Sequence, residues 1–272
     1  NLKHINKKNV DYILICSPST THVEYIKKLS KFKKPIFVEK PLTNDLSKLK
    51  KFFKPKDLNK LRILVGYVFR YNDLFMKTLS LVKKEKIRNI RNVVIKSSSF
   101  LPYWRKNKDY KKTVSANKKL GGGVLLELSH EIDCIVCLFG VPEKIGAKLF
   151  FNKYLKTDVE TGVKAILYYK KNFKIDLNLD FHSKNSNLRY FKIFGKNEYI
   201  HWNILKNFLI FKKKTKRKKY KIKNRMFRNQ MDAFLKNRFY NFKNQYDTSF
   251  KILKIIELIK KSHYRKKIIN YE

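Results

Sequence analysis

The stretch VDYILICSPSTTHVEYIKKLSKFKKPIFVEKPL, residues 10–42, decides the fold. Val10–Cys16 is an apolar, β-rich run that stops at Ser17-Pro18, which is the pattern of a strand buried on both faces of a parallel sheet. Ser19-Thr20-Thr21 offers side-chain oxygens as an N-cap region, and a helix is predicted from His22 to Ser30 with Glu24 in its first turns. Pro35 to Glu39 reads as a second short buried strand, ended by Lys40-Pro41. Beyond it, Thr43 or Asn44 caps a helix over roughly 45–53, and RILVGYVFR (62–70) is a third strand. Strand, helix, strand, helix, strand implies a parallel sheet with right-handed crossovers.

Further outward the pattern changes. Residues 71–86 have the period of an amphipathic helix, 92–100 read as a strand, and 101–120 have no clean period. That aromatic and basic segment is predicted to be a long loop, a kind that is usually functional within a compact domain. A helix follows the Gly121–Gly123 triplet and ends at Phe139-Gly140. From Glu143 onward, short alternating segments near 144–151, 162–170, 173–181, 188–194, 198–203 and 207–213 are separated by turns such as Lys171-Asn172 and argue for a mostly antiparallel sheet. The run KKKTKRKKY (212–220) reads as a solvated edge strand or hairpin, since Lys discourages edge pairing. Helices over about 226–238 and 246–262 close the chain. The expected fold class is therefore α/β, a partial Rossmann-type βαβαβ unit, followed by an α+β domain with a large, mostly antiparallel sheet.

The hydrophobic content of 43%, with 14% aromatic residues, is that of a folded chain. The formal charge of +44 raises a nucleic-acid reading. Yet Lys is spread over nearly every segment, whereas a nucleic-acid footprint clusters on one face, so no nucleic-acid partner is expected. Three cysteines, at 16, 134 and 137, favour a reducing compartment over a disulfide framework. Cys134 and Cys137 lie in an apolar helix without a second pair to complete a zinc site. His4, His182, His201 and His263 have no companion ligands, so no metal is expected. Without a long apolar run or a signal-peptide pattern, the expectation is a soluble, cytoplasmic protein with no membrane contact.

Within GGGVLLELSHEID (121–133) the glycines free the backbone and allow close approach of a ligand, and Glu127, His130 and Asp133 are spaced to share one helical face. A carboxylate and an imidazole on one side make an acid–base site; a core helix with a satisfied histidine is the alternative. Asp133 reads as a structural partner for a nearby donor.

Several of these stretches together resemble the glucose–fructose oxidoreductase and inositol dehydrogenase family, Gfo/Idh/MocA. ILICSPSTTHVE (13–24) resembles the strand–turn–helix where a Pro and a His flank the nicotinamide side of the cofactor. FVEKPL (37–42) resembles the Glu-Lys-Pro signature, VGYVFRYN (65–72) the strand and Arg-aromatic pair that open the second domain, and the Gly triplet with His130 the substrate-site helix. LPYWRKNKDYKKTVSA together with GGGVLLELSHEID is similar to members associated with bacterial surface sugars such as sialic-acid-like residues. The resemblance implies a C-terminal half of a dinucleotide-binding domain over 1–70 and a substrate-binding and oligomerisation domain over 71–272. It implies NAD or NADP as cofactor, held by Ser17, Pro18, Ser19, His22, Glu39, Lys40 and Pro41, with His22 contacting the cofactor or ordering its turn. A sugar would lie against Arg70, Tyr103, Trp104, Arg105, Tyr110, Gly122, Gly123 and His130. His130 would act as base, assisted by Lys40.

Two features depart from the family pattern. No Gly-x-Gly-x-x-Gly fingerprint occurs in the 272 residues, so roughly the first two βα units of such a domain are expected to be missing from a chain that begins at Asn1. Glu127 stands three residues before His130, where many members place an Asp four before; Leu126 occupies that position here. The leading expectation is an NAD(P)-dependent sugar or sugar-nucleotide dehydrogenase, a homo-oligomer through the antiparallel sheet. A non-catalytic remnant serving assembly and a basic nucleic-acid binder are the competing classes.

Overall fold

The computed structural model describes residues 9–54, 60–84, 87–170, 172–223, 225–236 and 245–272. His4, Lys171 and Asn224 lie outside them. Three short strands, β1 (Ile13–Ile15), β2 (Ile36–Val38) and β3 (Ile63–Val65), pair in parallel in that order. Helices α1 (His22–Leu29) and α2 (Leu46–Phe52) carry the crossovers and bury Val23, Ile26, Leu29 and Leu49 in the core. The N-cap of α2 is Asp45, one residue beyond the expected Thr43 or Asn44: its carboxylate accepts from the Ser47 amide at 2.7 Å. The expected strand 62–70 stops at Val65. The Gly66 amide still bonds to Val38 at 2.8 Å, and the chain then leaves the sheet as a 3-10 turn, Val68–Tyr71, which buries Tyr67 and Phe69.

Asn72 caps α3 (Asp73–Lys83), its side-chain oxygen accepting from the amides of Leu74 and Phe75. Next comes β4 (Asn92–Ser98), then the 101–120 segment, built from four successive 3-10 turns. The helix expected after the glycines is interrupted at Leu128 into α4 (Val124–Glu127) and α5 (Ser129–Phe139). Strands β5 (Lys144–Phe150), β6 (Gly162–Tyr169), β7 (Phe173–Asp180), β8 (Leu188–Phe194), β9 (Glu198–Asn203), β10 (Phe208–Lys213), β11 (Lys216–Lys221) and β12 (Ile269–Asn270) complete a nine-stranded sheet. Its order is β11-β10-β9-β8-β4-β7-β6-β5-β12. All pairings are antiparallel except β4 with β7. The Lys-rich β11 is an edge, where its charges block further pairing.

Helix α6 (Met226–Leu235) returns to the parallel sheet, with Phe234 meeting Phe37 and Tyr12 at centroid distances of 5.7 and 5.6 Å. Helix α7 (Gln245–Arg265) runs along β5, where Ser262 Oγ accepts from the Ala147 amide at 2.9 Å. Along β6 and β7 buried residues alternate with partly exposed ones, so one face of the large sheet lies on the core. No helix among the described residues is long and apolar enough to cross a membrane.

Candidate active site

Lys40 leaves the carboxyl end of β2 through a cis Lys40–Pro41 peptide and reaches the interruption between α4 and α5. A helix end leaves carbonyls without intrahelical partners. Here Lys40 Nζ donates to the Glu127 carbonyl oxygen at 3.0 Å and lies 3.7 Å from the Glu127 carboxylate. Ser115 Oγ donates to the other carboxylate oxygen at 2.9 Å. Glu127 thus orients Lys40, and the break at Leu128 supplies the acceptor.

His130 opens α5 from the same region, its ring against Phe69 (4.9 Å) and edge-on to Tyr67 (5.8 Å). Its Nδ1 is buried without a hydrogen-bond partner among the described residues. Burial, followed by the positive charges of Lys40, Arg189 and Arg70, holds its pKa well below the usual 6.5. Burial and these charges favour the neutral imidazole, the form in which a ring nitrogen can accept a proton, while they weaken it as a base. Lys40, Glu127 and His130 line one cavity of about 460 Å³, a volume in the range of small-molecule sites. Its other walls include Ser97, Ser98 and Ser99 of the β4 end, Trp104, and Arg189 of β8.

The aromatic loop divides. Tyr103 and Trp104 line the cavity, with Trp104 Nε1 donating to Ser99 Oγ at 2.9 Å. Arg105 is exposed and outside the wall, and Tyr110 donates to the Leu155 carbonyl at 3.0 Å, which makes it a strut of the loop. Arg70 is also away from the cavity. Its guanidinium, 2% exposed, bonds Asp133 through Nε to both carboxylate oxygens at 3.0 Å and through Nη2. Burial works against that charge and the Asp133 carboxylate more than offsets it, so the group stays protonated. Arg70 and Asp133 thus form a buried ion pair, and neither lines the cavity.

The glycines are required by packing against the protein itself. A Cβ on Gly122 would fall 2.2 Å from the Val114 carbonyl oxygen, and one on Gly123 (φ +107°) 2.6 Å from Glu160. One on Gly121 (φ +83°) would meet Ser19 Oγ at 2.3 Å, so this turn seats the 17–19 turn of the parallel sheet. Neither Gly122 nor Gly123 lines the cavity.

At the carboxyl ends of β1 and β2, buried His22 joins the two turns, Nε2 to the Ser17 carbonyl oxygen at 2.7 Å and Nδ1 to that of Pro41 at 3.0 Å. A neutral ring can donate to only one of them, and burial lowers its pKa despite both carbonyls. His22 thus bridges the Ser17 and Pro41 carbonyls. Ser19 Oγ and Asn44 Oδ1 are buried without partners among the described residues. Unsatisfied polar atoms at the carboxyl ends of parallel strands fit the nicotinamide side of a dinucleotide, with Ser17, Pro18, Ser19, Glu39, Lys40 and Pro41 as the residues that would hold it. No residue here is assigned to its pyrophosphate.

Sequence reasoning passed over Arg189, Glu131 and the Ser97–Ser99 run. Arg189 donates to Glu131 through Nε (2.7 Å) and Nη2 (3.0 Å) and stacks on Phe69, 4.5 Å from the ring centroid. Glu131, beside His130 in an apolar helix, was the available signal; its partner lies 58 residues away.

A three-stranded parallel sheet with helical crossovers, followed by a large, mostly antiparallel sheet, is the architecture the chain presents. Residues 1–67 match the oxidoreductase family with an NAD-binding Rossmann fold, and residues 75–201 match the GFO/IDH/MocA C-terminal domain. The chain belongs to the Gfo/Idh/MocA oxidoreductase family. It is 28% identical over 89 residues to inositol 2-dehydrogenase of Rhizobium meliloti (strain 1021), covering 33% of this chain and 27% of that protein. It is 25% identical over 142 residues to 2,7-anhydro-N-acetylneuraminate hydratase of Escherichia coli (strain K12), covering 52% and 37%. The chain thus spans well under half the length of these curated relatives. Levoglucosan dehydrogenase, solved with NADH and levoglucosan, superposes with a TM-score of 0.82 at 14% identity, over 96% of this chain and 80% of that one, a likeness of fold.

Proposed function

We propose that the protein oxidises a hydroxyl of a sugar or sugar nucleotide with NAD or NADP, His130 acting as base and Lys40 assisting. The observation that carries this reading is the meeting of His130 and Lys40, the latter held by Glu127, on the wall of one cavity. The nicotinamide, when bound, accepts the hydride. The chain's own residues handle the rest. His130 takes the hydroxyl proton, Lys40 Nζ donates to the same oxygen and stabilises its developing negative charge, and Glu127 keeps Lys40 in place. Trp104 offers an aromatic face for a sugar ring.

A role in surface-glycan synthesis rests on the 101–116 loop and the sialic-acid-type name of one relative. Three free cysteines are consistent with a reducing, cytoplasmic setting. The outward face of the large sheet, with Tyr190, Tyr199, His201 and Phe208 in ring contact, is where we place association with a second copy. Reduction of NAD or NADP, followed by absorbance over a panel of sugars, tests the reading. Lys40→Ala and His130→Ala are each expected to lower turnover about a hundredfold. A variant within about threefold of wild type removes that residue from the mechanism.

A further inference from the structure

Besides Lys40, the cavity wall carries two further cationic side chains, Arg189 and Lys184, and one carboxylate, Glu127. Arg189 enters from β8, directly across the ladder from Ser97 of β4. Its Nε and one Nη2 hydrogen are taken by Glu131, whose side chain is fully buried, and its plane lies on Phe69. Backed by a carboxylate and stacked on a ring, the guanidinium has one orientation, and its Nη1 edge is left for another acceptor. Arg189 keeps 22% of its side chain exposed and lines the cavity. Lys184, exposed on the β7–β8 connection, lines the same end. Glu127, the carboxylate on the wall, is engaged by Lys40 and Ser115.

We infer that this end of the cavity binds an anionic group of the substrate, so that the sugar is a sugar acid or a sugar phosphate, with Arg189 as the specificity-determining contact. Carboxylate and phosphate both match a guanidinium edge, and exposed Lys184 adds a second positive charge on the wall. A monosaccharide carrying one such group fits a cavity of about 460 Å³. The anion would be anchored at Arg189 and Lys184, while a ring hydroxyl meets Lys40 and His130.

This inference rests on the proposed hydroxyl oxidation at the same site, and equilibrium binding separates the two. Calorimetric titration of the protein would use D-glucuronate against D-glucuronamide, and glucose 6-phosphate against glucose, pairs that differ in the anionic group. At least one anion is expected to bind tenfold or more tighter than its neutral partner, and the tighter anion names the group. The preference should weaken at raised salt. Because Arg189→Gln alone strands a buried Glu131, the variant is Arg189→Gln with Glu131→Gln, expected to abolish the preference. Lys184→Gln, at an exposed site, should reduce it a few-fold. Equal affinity within each pair, or a preference that survives the double variant, overturns the inference. Equal affinities alongside nicotinamide reduction by a neutral sugar would leave the proposed oxidation standing.

Discussion

Replacing Arg70 by Met separates a structural ion pair from a substrate contact. Both side chains of the Arg70–Asp133 pair are at most 2% exposed, and Nε sits 3.0 Å from both carboxylate oxygens. Arg70→Met keeps the volume and leaves Asp133 buried without its counter-charge. Breaking such a pair from one side costs about 3–5 kcal/mol. At roughly 2–4 °C per kcal/mol for a chain of this size, the melting temperature should fall by about 6–20 °C. Arg70→Met with Asp133→Leu removes both charges and should recover most of the loss, because apolar replacements of a buried pair are often neutral or stabilising. Thermal and urea unfolding followed by circular dichroism on the wild type, both single variants and the double variant gives the coupling directly. A melting temperature for Arg70→Met within about 2 °C of wild type, or a double variant less stable than either single one, would refute the reasoning. A large rise in KM without loss of stability would return Arg70 to the substrate.

The glycine turn yields an internally controlled comparison. Gly123→Ala combines a φ of +107° with a Cβ 2.6 Å from Glu160, whereas Gly140→Ala has a φ of +78° and nothing within 4 Å. Gly140→Ala should cost about 1 kcal/mol and Gly123→Ala clearly more by urea midpoint; equal costs would contradict the packing role given to the triplet. His130, together with His22 and His201, has a folded-state pKa below its unfolded value. The unfolded chain therefore takes up protons first as pH falls, so stability is full above about pH 6.5 and declines below it. His130→Leu should remove up to about 1.4 kcal/mol per pH unit of that slope. An unchanged slope between pH 5 and 6.5 would mean that His130 is protonated in the fold.

The parallel unit was legible because β2 and β3 are buried throughout and the first two strand runs end at a Pro or a charged turn, although β1 buries only Ile13 and Ile15 and leaves Leu14 exposed. Val10–Cys16 and Pro35–Glu39 stand out as apolar blocks with punctuation. Strand ends were less legible: RILVGYVFR is apolar to Phe69, and only the backbone bonds at Gly66 show where it leaves the sheet. The site was legible where its chemistry is local, in Lys40 before Pro41 and His130 after the glycines. Arg70 carried no local sign that Asp133, 63 residues on, would take its charge, and Arg189 none that Glu131 would orient it. Contacts across sheet and helix are set by the register of β4, β7 and β8, and a parallel β4–β7 pair is not readable from alternation. The glycines were visible, but not whether ligand or protein fills the space beside them.

The central claim is that Lys40 and His130 share one substrate hydroxyl. A crystal structure of the protein with a sugar that it oxidises tests this most directly, read at the oxygen nearest the two side chains. A hydroxyl within about 2.6–3.2 Å of both Lys40 Nζ and a ring nitrogen of His130, in the cavity walled by Ser97–Ser99 and Trp104, is the predicted result. A sugar bound with its hydroxyls on Lys40 alone, or outside that cavity with His130 uncontacted, would contradict it.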